Sequence, residues 1–419
     1  MVDDVLTTTG ATQTRIRDLP SRVVVYLLLA AALFAECGYQ QVWARLAAGL
    51  DGLTVATPTS SALAKARRRI GPQPLAALFA LIAGPAAGSP RWRGLLVCAI
   101  DGTTMSIPDS PANLTAYGRQ TGSHGGSGYP LLRLLTIVAC GSRTVIDAVF
   151  GPISTGETTC APRLFRCLRP GMLLLADRNF AARDLIEQIT ATGASLLIRC
   201  KNGRNLPPVR YCPDGSWLAQ LGQVTIRVID AQIIVTLNGK HHTGRYRLIT
   251  TLTDHQAFPA LDLITLYHQR WEIETAFLEM KSTTLGGRVL RARTPAGVSQ
   301  EVYALLTAYQ AVRLTMAGAT TSDPTTSPDR ASFTIALHTA RDQIIHASGV
   351  IAATTIDLVG KIGRAVLANL LPPRRTRVSP RVVKRAISKH RAKGDIDRTN
   401  YQATINIHIT PGLTTSPEP

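Results

Sequence analysis

Between Tyr267 and Lys281 (YHQRWEIETAFLEMK) a phenol, a guanidinium, a carboxylate and an ammonium recur at Tyr267, Arg270, Glu274 and Lys281. On an ideal helix these spacings bring all four within roughly 60° of one another on one face. Such a face could follow a phosphate backbone, with Arg and Lys gripping phosphate oxygens. The same spacing also suits a solvated face of i,i+4 charge pairs. Ile273 and Phe277 lie at neighbouring angles and can anchor the helix to a sheet. Two further acids stand where apolar runs stop. Leu95 to Ile100 (LLVCAI) ends at Asp101, and Met172 to Ala176 (MLLLA) ends at Asp177. Unbroken apolar runs of this length read as strands buried on both faces. Either aspartate alone could be a simple turn or cap residue. Three acids in this order, the last beside Arg and Tyr, suit Mg²⁺, which demands hard oxygen ligands. Two such ions can hold the attacking and leaving oxygens of an in-line phosphoryl displacement.

The elements that must carry these acids change in kind along the chain. Residues 1–93 read as helical: an apolar core helix, then Pro58-Thr59-Ser60-Ser61 as an N-cap and a basic helix over 62–70 containing Arg67 and Arg68, ended by Gly71-Pro72. Helix, turn and basic helix suggest a DNA-contacting module, or equally a solvated basic face on a bundle. Strands follow at 95–100, 131–139 and 144–150, a helix at about 158–168, a strand at 172–176, a helix at about 182–192 and a strand at 195–199. The order β-β-β-α-β-α-β, with acids closing its first and fourth strands, describes a ribonuclease H-like α/β sheet. A loop rich in Pro and Gly opens an antiparallel β insertion over 201–255, with strands at 224–229, 233–237 and 245–251 and Asn238-Gly239 as a hairpin turn. Helical periodicity returns near Leu261 and persists to about Met316. Thr320 to Pro328 is a turn-rich linker before a helical, then basic, C-terminal region. The expected division is therefore 1–93 helical and DNA-binding, 94–200 and 256–320 the two parts of the catalytic core, 201–255 the β insertion, and 321–419 the C-terminal region.

Charge narrows the choice of partner. The 419 residues carry 46 Lys+Arg against 27 Asp+Glu, a formal net charge of +19, which favours a polyanion and most often nucleic acid. From Pro372 to Lys393 there are nine basic residues, Arg381, Lys384 and Arg385 among them, and no acid. The seven cysteines are scattered with no C-x-x-C pair, so neither a disulfide framework nor a zinc site is supported. The longest apolar run, Val23 to Ala35, is too short to span a bilayer and lacks a cleavage site after it. A cytoplasmic protein without a membrane partner is expected.

The Tyr-x2-Arg-x3-Glu-x6-Lys array resembles the signature of DDE transposases of bacterial insertion sequences, of the IS-four type. Asp101-Gly102-Thr103 resembles that family's first-acid motif, and Gly171 to Phe180 (GMLLLADRNF) its second. Gly126 to Arg133 (GSGYPLLR), Leu290 to Gln300 (LRARTPAGVSQ) and Arg381 to Arg385 (RVVKR) are similar to further family segments, and a β insertion before the third acid is characteristic of the group. Asn179 and Leu132 depart from the residues common there. The resemblance implies that Asp101, Asp177 and Glu274 bind two Mg²⁺ ions, with Mn²⁺ able to substitute. It further implies that Tyr267, Arg270 and Lys281 engage DNA phosphates. Arg178 and Arg133 are candidate phosphate contacts, as are Arg67, Arg68, Arg381, Lys384 and Arg385.

The implied activity is cut-and-paste transposition of double-stranded DNA, with hydrolysis at the terminal inverted repeats followed by strand transfer into target DNA. A homodimeric synaptic complex and a nucleoid-associated location in a bacterial cytoplasm go with it. The alternatives are a metal-dependent nuclease of the same fold and a domesticated, non-catalytic DNA-binding protein. Among lesser candidates, Glu157 reads as an N-terminal helix acid that could assist a metal, and Trp217 as either a DNA wedge or the anchor of a small sheet. Trp271 could stack on an unpaired base or anchor a core edge, and His268 faces away from Tyr267.

Overall fold

Apolar spacing in the first third of the chain produces helices. The computed structural model describes all residues except 14, 16, 17, 51–53, 121–127, 238–239, 324, 347–356, 373–402 and 411–419. Its first elements are α1 (Val2–Thr8), α2 (Ser21–Leu33), α3 (Tyr39–Ala47), α4 (Ser60–Ile70) and α5 (Gln73–Ile82). α2 is apolar nearly all round and is mostly buried, as a helix with no polar face must be. α4 begins where the Thr59 hydroxyl accepts the Ala62 amide at 3.2 Å, and stops at Gly71, whose φ of 65° suits glycine.

The next stretch alternates strands and short helices: β1 (Arg91–Trp92), β2 (Leu95–Ser106), α6 (Pro111–Tyr117), β3 (Leu131–Ala139), β4 (Val145–Pro152), α7 (Glu157–Cys160) with a 3₁₀ run Ala161–Cys167, and β5 (Met172–Ala176). A 3₁₀ turn Arg178–Phe180, α8 (Arg183–Ala191), β6 (Ser195–Cys200), β7 (Arg210–Tyr211), β8 (Trp217–Leu221), β9 (Val224–Leu237) and β10 (Lys240–Thr250) follow. The remainder is α9 (Ala260–Tyr267), α10 (Trp271–Leu278), α11 (Pro295–Thr321), α12 (Phe333–Ile345), α13 (Leu358–Ala368) and β11 (Ala403–Ile409).

These elements form two compact units, Met1–Leu175 with Thr192–Ala194 and Gln269–Leu371, and Ala176–Ala191 with Ser195–His268 and Pro372–Pro419. In the first unit the strands run β4-β3-β2-β5, with β2 antiparallel to β3 and parallel to β5. α11 packs on α2, α5 and α13 and is buried along much of its length. Its Gln310 donates to the carbonyls of Ile82 and Gly84 and accepts the Val145 amide at 2.7 Å, tying helices to the β3–β4 hairpin. In the second unit the order is β6-β10-β9-β8-β7, antiparallel through the pairs β6–β10, β10–β9, β9–β8 and β8–β7, with β11 beside β9. Arg227, fully buried on β9, is satisfied by Ser216, Asp214 and the Phe258 carbonyl.

Several sequence expectations change. β2 does not end at Asp101; it runs on to Ser106, because Gly102 to Ser106 continue to pair with β3. The two strands expected at 224–229 and 233–237 are one, since Asp230 and Gln232 sit in the β9–β10 ladder without interrupting it. The hairpin turn at Asn238-Gly239 lies outside the described residues, between the paired Leu237 and Lys240. Nor are β1, α6, β7, β8 and β11 among the elements expected from the sequence. The segment expected to be one helix from Tyr267 to Lys281 is broken: α9 ends at Tyr267, His268–Arg270 is 3₁₀, α10 follows, and Glu279–Thr284 is a π-helix. Equal 100° steps therefore do not apply across it. Among the described residues no helix is long and apolar enough to cross a membrane.

Candidate active site

Side chains of β2 alternate between two faces, and this divides the polar residues after Ile100. Asp101 and Thr103 point one way, and both meet the signature segment. Arg270 places Nη1 3.2 Å from Asp101 Oδ2 and Nη2 3.1 Å from Glu274 Oε1, so one guanidinium joins the two acids. Lys281 Nζ donates to Thr103 Oγ1 at 3.0 Å. Burial lowers the Lys281 pKa from its ordinary value, because a half-buried ammonium loses hydration. The Gly102 amide donates to Asp101 Oδ1 at 2.8 Å, which fixes the other carboxylate oxygen.

Gly102 faces the opposite way, and there Glu157 lies across its Cα. A Cβ at this position would fall 2.5 Å from Glu157 Oε1, so a larger residue would have to displace the Glu157 side chain. Glu157 accepts from Arg133 Nη1 at 2.9 Å, and Arg133 also donates to the Ile153 carbonyl at 3.2 Å. Glu157 thus opens α7, as the sequence suggests, and its carboxylate is committed to a brace behind β2.

In the second unit, Asp177 Oδ1 caps the 3₁₀ turn by accepting the Asn179 amide at 2.8 Å, Arg178 is exposed, and the Tyr267 hydroxyl donates to the Ala176 carbonyl at 2.9 Å. Trp217 is buried, with its indole donating to the Leu206 carbonyl at 3.0 Å; it anchors the small sheet, which removes the wedge reading. Trp271 is half exposed with the Arg270 guanidinium 5.3 Å from its ring, and His268 is exposed. On α4, Arg67 stacks 3.6 Å over the Tyr39 ring whereas Arg68 is exposed. Arg381, Lys384 and Arg385 lie outside the described residues.

A divalent cation fits the front of β2 chemically. Two carboxylates supply hard oxygen donors and already converge on a positive charge, the Arg270 guanidinium. Among the described residues no group of three or more His, Cys, Asp or Glu is gathered for a metal.

Sequence reasoning missed a cluster behind the signature segment. Arg143, in the β3–β4 turn, is buried and donates to Glu272 at 2.5 Å, Glu279 at 3.3 Å and Asp329 at 3.3 Å. Glu279 also accepts from Tyr309 at 3.0 Å and from Arg313 Nε at 3.0 Å. Burial opposes the Arg313 charge, but the Glu279 carboxylate outweighs it and raises the pKa. The signal available in the sequence is a pair of further acids, Glu272 and Glu279, off the face shared by Arg270, Glu274 and Lys281.

The signature segment thus joins Asp101 and Glu274 through the Arg270 guanidinium and sets Lys281 against Thr103 of β2. The chain belongs to the DDE transposases and is an insertion-sequence transposase: residues 92–311 match the family described as the transposase DDE domain, and residues 1–80 match the insertion element 4 transposase N-terminal family. Dependence on divalent metal goes with that family. It is 27% identical to the transposase InsG for insertion sequence element IS4 of Escherichia coli (strain K12), over 92% of this chain and 89% of the relative. A putative transposase, InsZ, of the same organism is 28% identical over 45% of this chain and 64% of the relative. Among solved structures, a piggyBac transposase synaptic complex with hairpin DNA aligns over 92% of this chain and 84% of that one, with 10% identity and a TM-score of 0.43.

Proposed function

We propose that this transposase performs cut-and-paste transposition on a ribonuclease H-like core, with Asp101, Asp177 and Glu274 as ligands of two Mg²⁺ ions for which Mn²⁺ can substitute. The observation that carries the reading is the convergence of Asp101 and Glu274 on one cation at 3.2 and 3.1 Å. For Asp177 the support is its motif, and a parallel register that pairs Ala99 with Leu175, each two residues before an acid.

When bound, the metal supplies a polarised phosphate and an activated water or 3′-hydroxyl. The protein's own residues orient and neutralise. Asp101 Oδ1 is held by the Gly102 amide, and Oδ2 already faces the Arg270 guanidinium. Arg270, freed from the acids, and Lys281 hold scissile-strand phosphate oxygens; Arg suits a bidentate grip and Lys acts as a point charge. Tyr267 and Arg178 continue the phosphate contacts. Because hydrolysis and joining are both in-line phosphoryl transfers, one set of acids serves each step as the nucleophile changes. The DNA partners are terminal inverted repeats and target duplex, brought together by a homodimer.

The test is a plasmid carrying the gene with its native flanks, incubated with purified protein and Mg²⁺ beside the Glu274→Gln variant. Paired cuts at inverted repeats, with 3′-hydroxyl ends that join target DNA, are expected, and the variant should lose cleavage by on the order of 10³-fold. Random nicks without joining would instead indicate a nuclease. Tight binding without cuts by either protein would indicate a DNA-binding protein that has lost its chemistry.

A further inference from the structure

Asp101 and Glu274 meet Arg270 on one side of the signature segment, and Glu272 and Glu279 of the same segment meet a second arginine. Glu272 and Glu274 are two residues apart on α10, so their side chains leave roughly opposite sides of the helix. Glu274 turns toward Asp101, while Glu272 turns into the protein and meets Arg143. Seven residues on, Glu279 opens the π-helix that carries Lys281, and it too meets Arg143. One guanidinium therefore grips the start of α10 and its exit.

The other end of Arg143 is anchored to the strand system that bears Asp101. Arg143 sits in the turn between β3 and β4, and β3 pairs with β2 from Cys98–Ala139 to Ser106–Leu131, with Asp101 opposite Thr136. Its amide donates to the Ala139 carbonyl at 2.8 Å and its carbonyl accepts from Tyr309 at 3.1 Å. Its φ is +56°, in the left-handed region where glycine would sit without strain. An arginine is thus held here in a backbone conformation that non-glycine residues adopt uncommonly.

We propose that Arg143 is a positioning residue: through Glu272 and Glu279 it fixes where Glu274 and Lys281 stand relative to Asp101. Tyr309 and Arg313 complete the strut by holding Glu279 from α11. Ile273, Ala276 and Phe277 bury the apolar face of α10, and apolar contacts carry no directional bond that sets its position. A forked guanidinium bonded to two acids seven residues apart resists both sliding and rolling. Displacement by about 1 Å is enough to cost on the order of 10²-fold in rate. The inference rests on the proposed role of Glu274 in metal binding.

Arg143→Lys keeps the charge and loses the fork, and Glu272→Gln loosens only the grip at the start of α10. Each would be compared with wild type, Glu274→Gln and Leu75→Ala, a core cavity in α5 that supplies a stability loss outside the strut. Three quantities would be read: Tm, Mn²⁺ binding by the free protein from loss of the aqueous EPR signal, and single-turnover cleavage of saturating end DNA. Arg143→Lys and Glu272→Gln are expected to weaken Mn²⁺ binding about tenfold and slow cleavage 10- to 100-fold, with DNA affinity within about twofold of wild type. Leu75→Ala should lower Tm and leave the other two readings in place.

Wild-type Mn²⁺ binding and cleavage in both strut variants, beside an inactive Glu274→Gln, would overturn the inference and leave the site reading standing. Wild-type activity in Glu274→Gln would overturn the site reading itself. If Arg143→Lys does not fold, Glu272→Gln decides on the same measurements.

Discussion

Lys281, proposed above to hold phosphate, is placed at a cost to the fold. Its ammonium is half-buried against Thr103, and burial pulls its pKa below the ordinary 10.5. The charged form is therefore disfavoured in the folded chain relative to the unfolded one. At pH values below the lowered pKa this cost is fully present. Between the lowered pKa and 10.5 the unfolded chain binds the proton more than the folded chain does, so stability rises with pH across that window. Lys281→Met should consequently be more stable than wild type at neutral pH, and its advantage should shrink as pH climbs toward 10. Urea unfolding at a series of pH values checks this; a gap that stays constant with pH would remove burial of the charge as the cause. The same variant is expected to bind DNA less tightly if Lys281 holds phosphate as proposed.

β2 is held from both sides, and its alternation explains why one glycine is placed in a row of acids and threonines. Asp101 and Thr103 meet the signature segment while Gly102 meets Glu157, itself pinned by Arg133. Gly102→Ala forces Glu157 off this surface and should cost about 1–3 kcal/mol, the usual range for overpacking. In a Glu157→Ala background the same change should cost far less, and a double-mutant cycle by chemical denaturation reads the difference. Equal costs in both backgrounds would mean that the crowding is absorbed elsewhere. Much of this level was legible in the sequence: β3 and β5 stand where their apolar runs end, and α4 has the cap and stop that Thr59 and Gly71 announce. Arg270 and Glu274 do pair at i,i+4, although the helix around them is broken. What escaped was set by tertiary partners. β2 extends past Asp101 because β3 is there to pair with Thr103 and Met105. The π-helix forms where Glu279 is held by Arg143, Tyr309 and Arg313, all of them far away in the chain. β11 has alternating isoleucines but becomes a strand only beside β9.

For the whole molecule the governing quantity is charge, and it divides the labour between grip and chemistry. The net charge of +19 is far from evenly spread, since residues 372–393 hold nine Lys and Arg and no acid. The basic side chains at the acids are few and already engaged there, Arg270 with Asp101 and Glu274 and Lys281 with Thr103. Non-specific affinity for duplex should therefore come largely from the basic run, through release of counterions from the phosphates it neutralises. Replacing its nine Lys and Arg by Gln leaves the strand β11 and the acids in place. The slope of log affinity against log salt should flatten by about 0.9 for each phosphate that is no longer neutralised. Cleavage at saturating DNA and low salt should persist, because Asp101, Glu274 and their companions are untouched. Fluorescence anisotropy across a salt series, with single-turnover cleavage beside it, separates the two. An unchanged slope would move the grip to exposed arginines among the described residues, Arg68 and Arg178 first. Failure to cleave at saturation would mean that the basic run takes part in placing the strand as well as in holding it.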